Sequence, residues 1–374
     1  VLASPAIFGP ASCILTRLVN TEATGDYFVR PADLVADEHI ILSLLRNASG
    51  TPGAVERKYQ WFYEEPHLGP TLTLLLCHKS ADHVVGMVTI GHRRLLVDNL
   101  PIDAGLLVDL HVESAHRTLG PALQLLREAI SLGLARFSIL YGYPNIRAQP
   151  LLRRAGFTIV AHAKRFARVI RFSEFLPKTV PRIIRLTLGG ALDLVQWMRF
   201  GVSASAGPRP SAVVHEYCDA GLLPVPSFDS EALQAAPSVV IGKHTPEFLQ
   251  WRFGQAALHP CMAATLSSPD PRYGSCFYIL DGSSSMLQIR DTTALIHTTR
   301  SAKRFWQALI SEARQRGYRS VSFVCTASDP LTAELAKLGF TIRDQHPVFA
   351  MCRSTHASLM QRCSWLLSDA DEDE

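Results

Sequence analysis

The sequence predicts a chain of the α/β (α+β) class built as two tandem halves, and three observations carry that prediction. Its 374 residues exceed what one hydrophobic core usually organises. Hydrophobic content of 47% and charged content of 19% are values of a globular chain with a sizeable core. A pattern also recurs. Each half opens on a Trp-bearing amphipathic segment, VERKYQWFYEEPHLGP around Trp61 and TPEFLQWRFGQAALHP around Trp251, and closes on a similar helix exit, LLRRAGFTI at 151–159 and ELAKLGFTI at 334–342. The boundaries that follow are 1–172 for the first domain, 173–237 for a connector and 238–374 for the second domain with an acidic tail.

In the first half, 71–77 and 84–91 read as strands joined by the polar turn Lys79-Ser80-Ala81-Asp82, which predicts a hairpin. Leu106, Leu107, Val108, Leu110 and Val112 then form a short apolar strand. After it Ala122, Leu123, Leu125, Leu126, Ala129 and Ile130 recur at helical spacing, in a helix ending near Leu134. A strand at 137–141 leads to Pro144-Asn145, which opens a short helix with Asn145 as N-cap and Gly156 as the terminating residue of positive φ. Two further strands, 157–160 and 165–171, complete the half. The second half offers strands at 276–280 and 286–290, a helix over about 302–316, a strand at 320–325 and a helix over 329–338. Between the halves, Pro177, Pro181, Pro208, Pro210, Pro224 and Pro226 mark a connector. Its stretch 203–211 reads as a loop, and 180–200 as an amphipathic helix packed between domains in preference to one on a membrane surface.

The segment 108–122, VDLHVESAHRTLGPA, carries the most chemistry. Arg117 and Gly120 sit where an apolar strand turns into a helix. The first N–H groups of a helix lack intrahelical partners, the helix dipole adds partial positive charge, and a glycine admits a ligand close to the main chain. Such a turn suits a pyrophosphate. Its spacing, Val112-x-Ser114-x-x-Arg117-x-x-Gly120-x-Ala122, resembles the acyl-CoA-binding motif of the GNAT superfamily of N-acyltransferases. The family usually has Pro where this chain has Ser114. Pro121 stands in the variable place, in the first helical turn where a missing N–H costs little. The tract YGYPNIRAQPLLRRAGF is similar to the end of the GNAT core.

The resemblance implies two tandem GNAT-like domains, each a mixed, mostly antiparallel twisted sheet flanked by helices, the second degenerate because RDTTALIHTTRSAKRF lacks the Arg-x-x-Gly-x-Ala turn. It implies acetyl-CoA or another acyl-CoA as co-substrate, held by Leu110, His111, Val112, Arg117, Thr118, Leu119, Gly120, Pro121, Ala122 and Asn145, with no metal. The acceptor is then a small-molecule or peptide amine that attacks the thioester directly. Such chemistry needs a group to take the amine's proton and another to protonate the leaving thiolate. Glu113, directly or through water, is the first candidate base and His111 the second. The Tyr that many GNAT enzymes place four residues before the Gly-Phe step is Leu152 here, so Tyr143 and Tyr141 are the available phenols. Glu64 and Glu65, beside Tyr59, Trp61, Phe62 and Tyr63, are placed to attract a cationic amine, while Trp61 itself reads as core. Two other readings stay open: a non-catalytic acyl-CoA-binding module that recruits a partner, and a FemAB-like aminoacyl transferase.

Composition narrows the rest. A formal charge of +4 without any Lys/Arg block predicts no specific nucleic-acid partner. The apolar stretch 183–200 is interrupted by Arg185, Asp193, Gln196 and Arg199, so no transmembrane segment is expected. Eight scattered cysteines without a Cys-x-x-Cys pair predict reduced, buried thiols and a cytoplasmic protein, monomeric or homodimeric. No His-Glu-x-x-His, Gly-x-Ser-x-Gly or Walker motif is present. The acidic end, 369–374, reads as a solvated tail.

Overall fold

Apolar runs in strand register place the 14 strands of the described residues in a single sheet. The computed structural model describes residues 25–49, 53–80, 83–98, 100–174, 179, 181–200, 211–215, 239–267, 275–281, 285–291, 299–353 and 363–372. The first half contains β1 (Tyr27–Pro31), α1 (Glu38–Ser49), α2 (Ala54–Lys58), a π-helical turn (Tyr59–Glu64), β2 (Leu72–His78), β3 (His83–Val97), β4 (Leu100–Val112), α3 (Leu119–Arg136), β5 (Ile139–Gly142), α4 (Gln149–Arg154) and β6 (Thr158–Val169). Next come α5 (Arg182–Phe200), β7 (Ser211–His215), β8 (Val239–Gly242) and α6 (Pro246–Phe253). The chain continues through β9 (Met262–Ser267), β10 (Ser275–Asp281), β11 (Met286–Asp291), α7 (Thr299–Gln315), β12 (Ser320–Thr326), α8 (Asp329–Lys337), β13 (Thr341–Cys352) and β14 (Ser364–Leu366).

The path through the sheet is β1-β2-β3-β4-β5-β13-β6-β12-β11-β10-β9-β7, with β8 joining β3 and β14 joining β8. Its centre is an exchange. β5 lies against β13, whose residues Phe349 to Cys352 pair Gly142 to Ile139, and β12 lies against β6, whose residues Val169 to Ala163 pair Ser320 to Thr326. β6 and β13 run antiparallel to one another between those two strands. Neither half therefore owns a complete sheet. The pairing is mostly antiparallel, with β4·β5, β11·β12 and β8·β14 parallel.

Helices cover both faces because the strands are apolar on both. On one face Leu125, Leu126 and Ala129 of α3 pack with Leu74, Val88, Ile90 and Leu140. On the other, Ile41, Leu44 and Leu45 of α1 and the aromatic π-turn pack with Leu75, Met87, Leu106 and Tyr141. A separate cluster around Trp306, Phe323 and Phe340 fills the second half. Trp61 and Trp251, the paired signposts of the sequence, stack with ring centroids 4.4 Å apart. Their indoles are satisfied across the halves: Trp61 Nε1 donates to the Trp251 carbonyl and Trp251 Nε1 to the Glu65 carbonyl, each at 2.8 Å.

Several expectations need revision. The strands expected at 157–160 and 165–171 are one strand, β6, because the ladder to β13 continues through both. Asn145 Oδ1 accepts from the N–H groups of Arg147 and Ala148, so it caps a turn that precedes α4. Gly156 does end that helix with φ at 99°. Part of the connector is a strand, β7, on the edge of the sheet, and 1–24 and 203–210 lie outside the described residues. Among the described residues no helix is long and apolar enough to cross a membrane, and Cys77, Cys261 and Cys325 are buried and in no disulfide.

The acidic end is the largest correction. Asp369, Ala370 and Asp371 are buried rather than solvated. His244 lies between two carboxylates, with Nδ1 3.1 Å from Asp291 and Nε2 3.0 Å from Asp371. Ser368 donates its hydroxyl to Asp291 and its N–H to Asp371, and Arg290 pairs with Asp369 at 2.6 Å. Gly242 is required beside this network, since a Cβ there would collide with Asp371 and His244. Burial alone would strip the proton from His244, but Asp371 and Asp291 overcome it and raise its pKa to about 10.

A folded-state pKa raised from 6.5 to about 10 means that the stabilisation is whole below pH 6.5 and is lost as the pH rises towards 10. Urea unfolding of the protein across that window is expected to show a falling midpoint. His244→Ala, which strands two buried carboxylates, is expected to cost about 3–5 kcal/mol at neutral pH and to flatten that pH dependence.

Candidate active site

β4 and β5 pair only from Ala104↔Ile139 to Leu106↔Tyr141, and beyond that point they diverge. The gap is a cavity of about 310 Å³ whose polar walls are Lys58, Asp109, His111, Tyr143, Asn145 and Glu372, with Leu44, Leu45, Leu107, Leu110 and Leu152 as apolar wall. Its shape owes much to a bulge. The ladder to β3 jumps between Met87↔His111 and Thr89↔Val108, so that Asp109 and Leu110 oppose a single residue. Asp109 takes up the distortion at φ 51°, a conformation that Asp tolerates better than most residues.

Asp109 is held on both carboxylate oxygens. Lys58 Nζ lies 2.9 Å from Oδ1 and the Tyr63 hydroxyl donates to Oδ2 at 2.6 Å. Behind it Tyr63, Thr89 and Thr73 continue a chain of hydroxyls at 3.2 Å. His111 is free to act: no hydrogen bond engages its ring among the described residues. Burial, with Arg117 adding to it, holds its pKa below 6.5, so the imidazole is neutral at pH 7. The Tyr143 hydroxyl is buried without a hydrogen-bond partner among the described residues. Burial and the charges of Asp371 and Glu372 keep it protonated, with its pKa well above 10.

The expected site residues divide into groups. Leu110, His111, Tyr143 and Asn145 meet at the cavity. Glu113 does not line it; its N–H rejoins the ladder at the Val85 carbonyl, 2.8 Å away. Tyr141 is wholly buried and its hydroxyl donates to the Asp371 carbonyl at 3.2 Å, again away from the cavity lining. Val112 packs in the core, and its carbonyl accepts from Arg117 Nε at 3.0 Å, which folds the arginine back on the strand end. Thr118, Leu119 and Gly120 are exposed, Pro121 is buried and Ala122 is half-buried. Thr118 is the N-cap of α3 but supplies no side-chain bond, which leaves the Leu119 and Gly120 N–H groups without intrahelical partners. The space over Gly120 is open, with nothing within 4 Å of where a Cβ would stand.

Two wall residues were not anticipated from sequence. Lys58 lies in the amphipathic segment before Trp61, where its partner Asp109, on β4, has no local signal. Glu372 belongs to the acidic end, and only the burial of its neighbours brings it to the cavity, with His346 Nε2 4.0 Å from its carboxylate.

No family model and no curated protein sequence matches the chain. In structure it is similar to a GCN5-related N-acetyltransferase from Anabaena variabilis, with a TM-score of 0.58 and 13% identity over 87% of this chain and 72% of that one. It is also similar to a GCN5-related N-acetyltransferase from Kribbella flavida, with a TM-score of 0.54 and 14% identity over 89% of this chain and 73% of that one. The N-myristoyltransferase of Saccharomyces cerevisiae, solved with myristoyl-CoA, gives a TM-score of 0.51 and 11% identity over 88% of this chain and 83% of that one. The chain carries the GNAT fold.

The bulge makes a prediction of its own. Asp109→Ala removes the carboxylate 2.9 Å from the half-buried Lys58 and puts a residue less tolerant of positive φ at 51°. A loss of about 1.5–3 kcal/mol is expected in urea unfolding. The double variant Lys58→Met/Asp109→Asn, which removes both charges and keeps a side chain suited to the turn, is expected to recover most of it.

Proposed function

We propose that the protein is an acyl-CoA-dependent N-acyltransferase that moves an acyl group, acetyl in the simplest case, to a primary amine by direct attack. The observation that carries the reading is the adjacency of two features. The α3 N-terminus offers exposed, uncapped amides at Leu119 and Gly120, and the strand that leads into it ends at a cavity with an unengaged, neutral imidazole. The GNAT fold of the neighbours supports it.

In this reading the coenzyme's pyrophosphate takes the amides at the start of α3, and the thioester lies in the gap between β4 and β5. The amine nitrogen attacks the thioester carbonyl carbon, a C–N bond forms, and the C–S bond breaks with its electron pair leaving on sulfur. His111 takes the proton released by the amine. Tyr143, protonated and otherwise unpartnered, donates a hydrogen bond to the departing thiolate. Glu113 gives way to His111 as the first candidate base because the cavity wall includes the imidazole and not the carboxylate. Asp109 holds Lys58 at the cavity wall and accepts from the Tyr63 hydroxyl behind it. The second half is read as a degenerate copy that closes the sheet and supplies Glu372.

Leu152 favours a second reading, since an apolar residue lines the cavity where many GNAT enzymes carry a phenol. In that reading the chain binds acyl-CoA without turnover and recruits a partner. Incubation with acetyl-CoA and a panel of amines, with free thiol followed over time, separates the two: thiol release supports the transferase, and binding without release replaces it by the module. Gly120→Asp, which fills the open space with a carboxylate, is expected to abolish coenzyme A binding in calorimetry; unchanged affinity would remove the assignment. His111→Gln is expected to lower kcat by about 10²–10⁴-fold. In the unaltered enzyme kcat/KM is expected to fall as the pH drops below the depressed pKa of His111, and that limb is expected to vanish in the variant.

A further inference from the structure

A second cavity, of about 250 Å³, opens on the seam between the halves, away from the β4/β5 gap. In its wall His244 is paired with Asp371, and the remaining charged groups are Glu247 and three cations, Arg93, Arg94 and Lys243. Two of them face each other across a ladder. β3 pairs with β8 through Leu95↔Gly242, and the next rung places Arg94 opposite Lys243, whose N–H donates to the Arg94 carbonyl at 2.9 Å. Like charges directly opposite in an antiparallel pair repel and cost stability.

The neighbouring anions do not cancel that repulsion. Asp103, half-exposed, is 3.4 Å from Arg94 Nε and is shared with His92 at 2.9 Å. Asp371 is committed to His244. Glu247 is drawn onto the start of its own helix, where its own N–H and the Thr245 hydroxyl hold its carboxyl below the ordinary range. Lys243 has no ion pair and no side-chain hydrogen bond among the described residues. Lys243 and Arg94 both line the cavity, whose wall also includes His67 and, from the start of α6, Thr245, Glu247 and Phe248.

We infer that this cavity binds a small oxyanion of the phosphate type, free or as a compact phosphomonoester, bridged between Arg94 and Lys243 at the seam of the two halves. A volume near 250 Å³, against about 30 Å³ per water, admits a phosphate with a few waters or a short ester and excludes a nucleotide. The bound anion converts the cross-strand repulsion into a bridge. It thereby ties β3 of the first half to β8 and α6 of the second.

Calorimetry and thermal unfolding with inorganic phosphate, against chloride at matched ionic strength, test the inference. The unaltered protein is expected to bind phosphate and to gain several degrees in Tm. Lys243→Gln and Arg94→Gln are expected to weaken binding at least about tenfold, roughly the loss of one charge-assisted hydrogen bond, and Lys243→Arg to retain it. Without phosphate, Lys243→Gln is expected to melt no lower than the unaltered protein, because a repulsion has been removed. Gly120→Asp separates this site from the turn at α3: phosphate binding that survives it belongs to the seam. A parallel titration with glycerol 3-phosphate identifies the source, since tighter binding than phosphate names the ester and weaker binding names the free ion. Absence of phosphate binding, binding unaffected by Lys243→Gln, or binding lost in Gly120→Asp would each overturn it.

Discussion

The fold depends on an exchange of two edge strands. A four-residue strand such as β5 can be buried throughout only if both of its edges are paired, because an open edge in the core would strand peptide N–H and C=O groups. β4 supplies one edge from the first half, and β13 supplies the other from the far end of the chain. The same solution serves β12, flanked by β11 and β6. Since β6 and β13 also pair with each other, removing either would leave two ladders open. The halves are therefore one hydrogen-bonded object, and the gap between β4 and β5 is held at a fixed width by residues that belong to both.

The buried charges around His244 act on that object from its far side. Asp371 accepts from Ser368 and pairs with His244, while its backbone carbonyl receives the Tyr141 hydroxyl from β5. The C-terminal turn is thus fixed to the first half by a neutral hydrogen bond and to the second by charge. Glu372 follows directly, and its arrival at the cavity is a consequence of how Asp371 is tied. Buried ion clusters of this kind are a weak source of net stability, because desolvation offsets most of the attraction, but they tolerate very few geometries. Here that selectivity is spent on the placement of the chain's last described turn.

What could be read from the sequence was local. The hairpin of β2 and β3, the strand-to-helix turn at Arg117 to Ala122 and the positive φ at Gly156 each rest on residues within a few positions of one another, and periodicity or turn chemistry identifies them. The exchange was not legible, because β13 looks like any strand after a helix and nothing near Thr341 names β5 as its neighbour. The acidic end misled for a related reason. A run of Asp and Glu reads as solvated unless its partners are known, and those partners, His244 and Arg290, are distant in the chain. Tyr141 and Tyr143 were indistinguishable as candidates until their burial separated a hydroxyl engaged with Asp371 from one left without a partner.

The bulge at Asp109 explains why His111 lines the cavity and Glu113, the first candidate base in the sequence, does not. In a regular strand Asp109, His111 and Glu113 would share one face, with Glu113 nearest the start of α3. The extra residue breaks that regularity, so that Asp109, Leu110 and His111 all contribute to the cavity wall, and the strand regains its register at His111, which pairs Met87. Regaining register ties the Glu113 backbone to Val85, outside the cavity. The strain at Asp109 is offset by Lys58 and Tyr63, which engage both of its oxygens. Of the ionisable groups that β4 brings to the gap, only His111 then combines access, an unprotonated form at neutral pH and freedom from a competing bond. The same distortion that opens the gap thus leaves an imidazole in it.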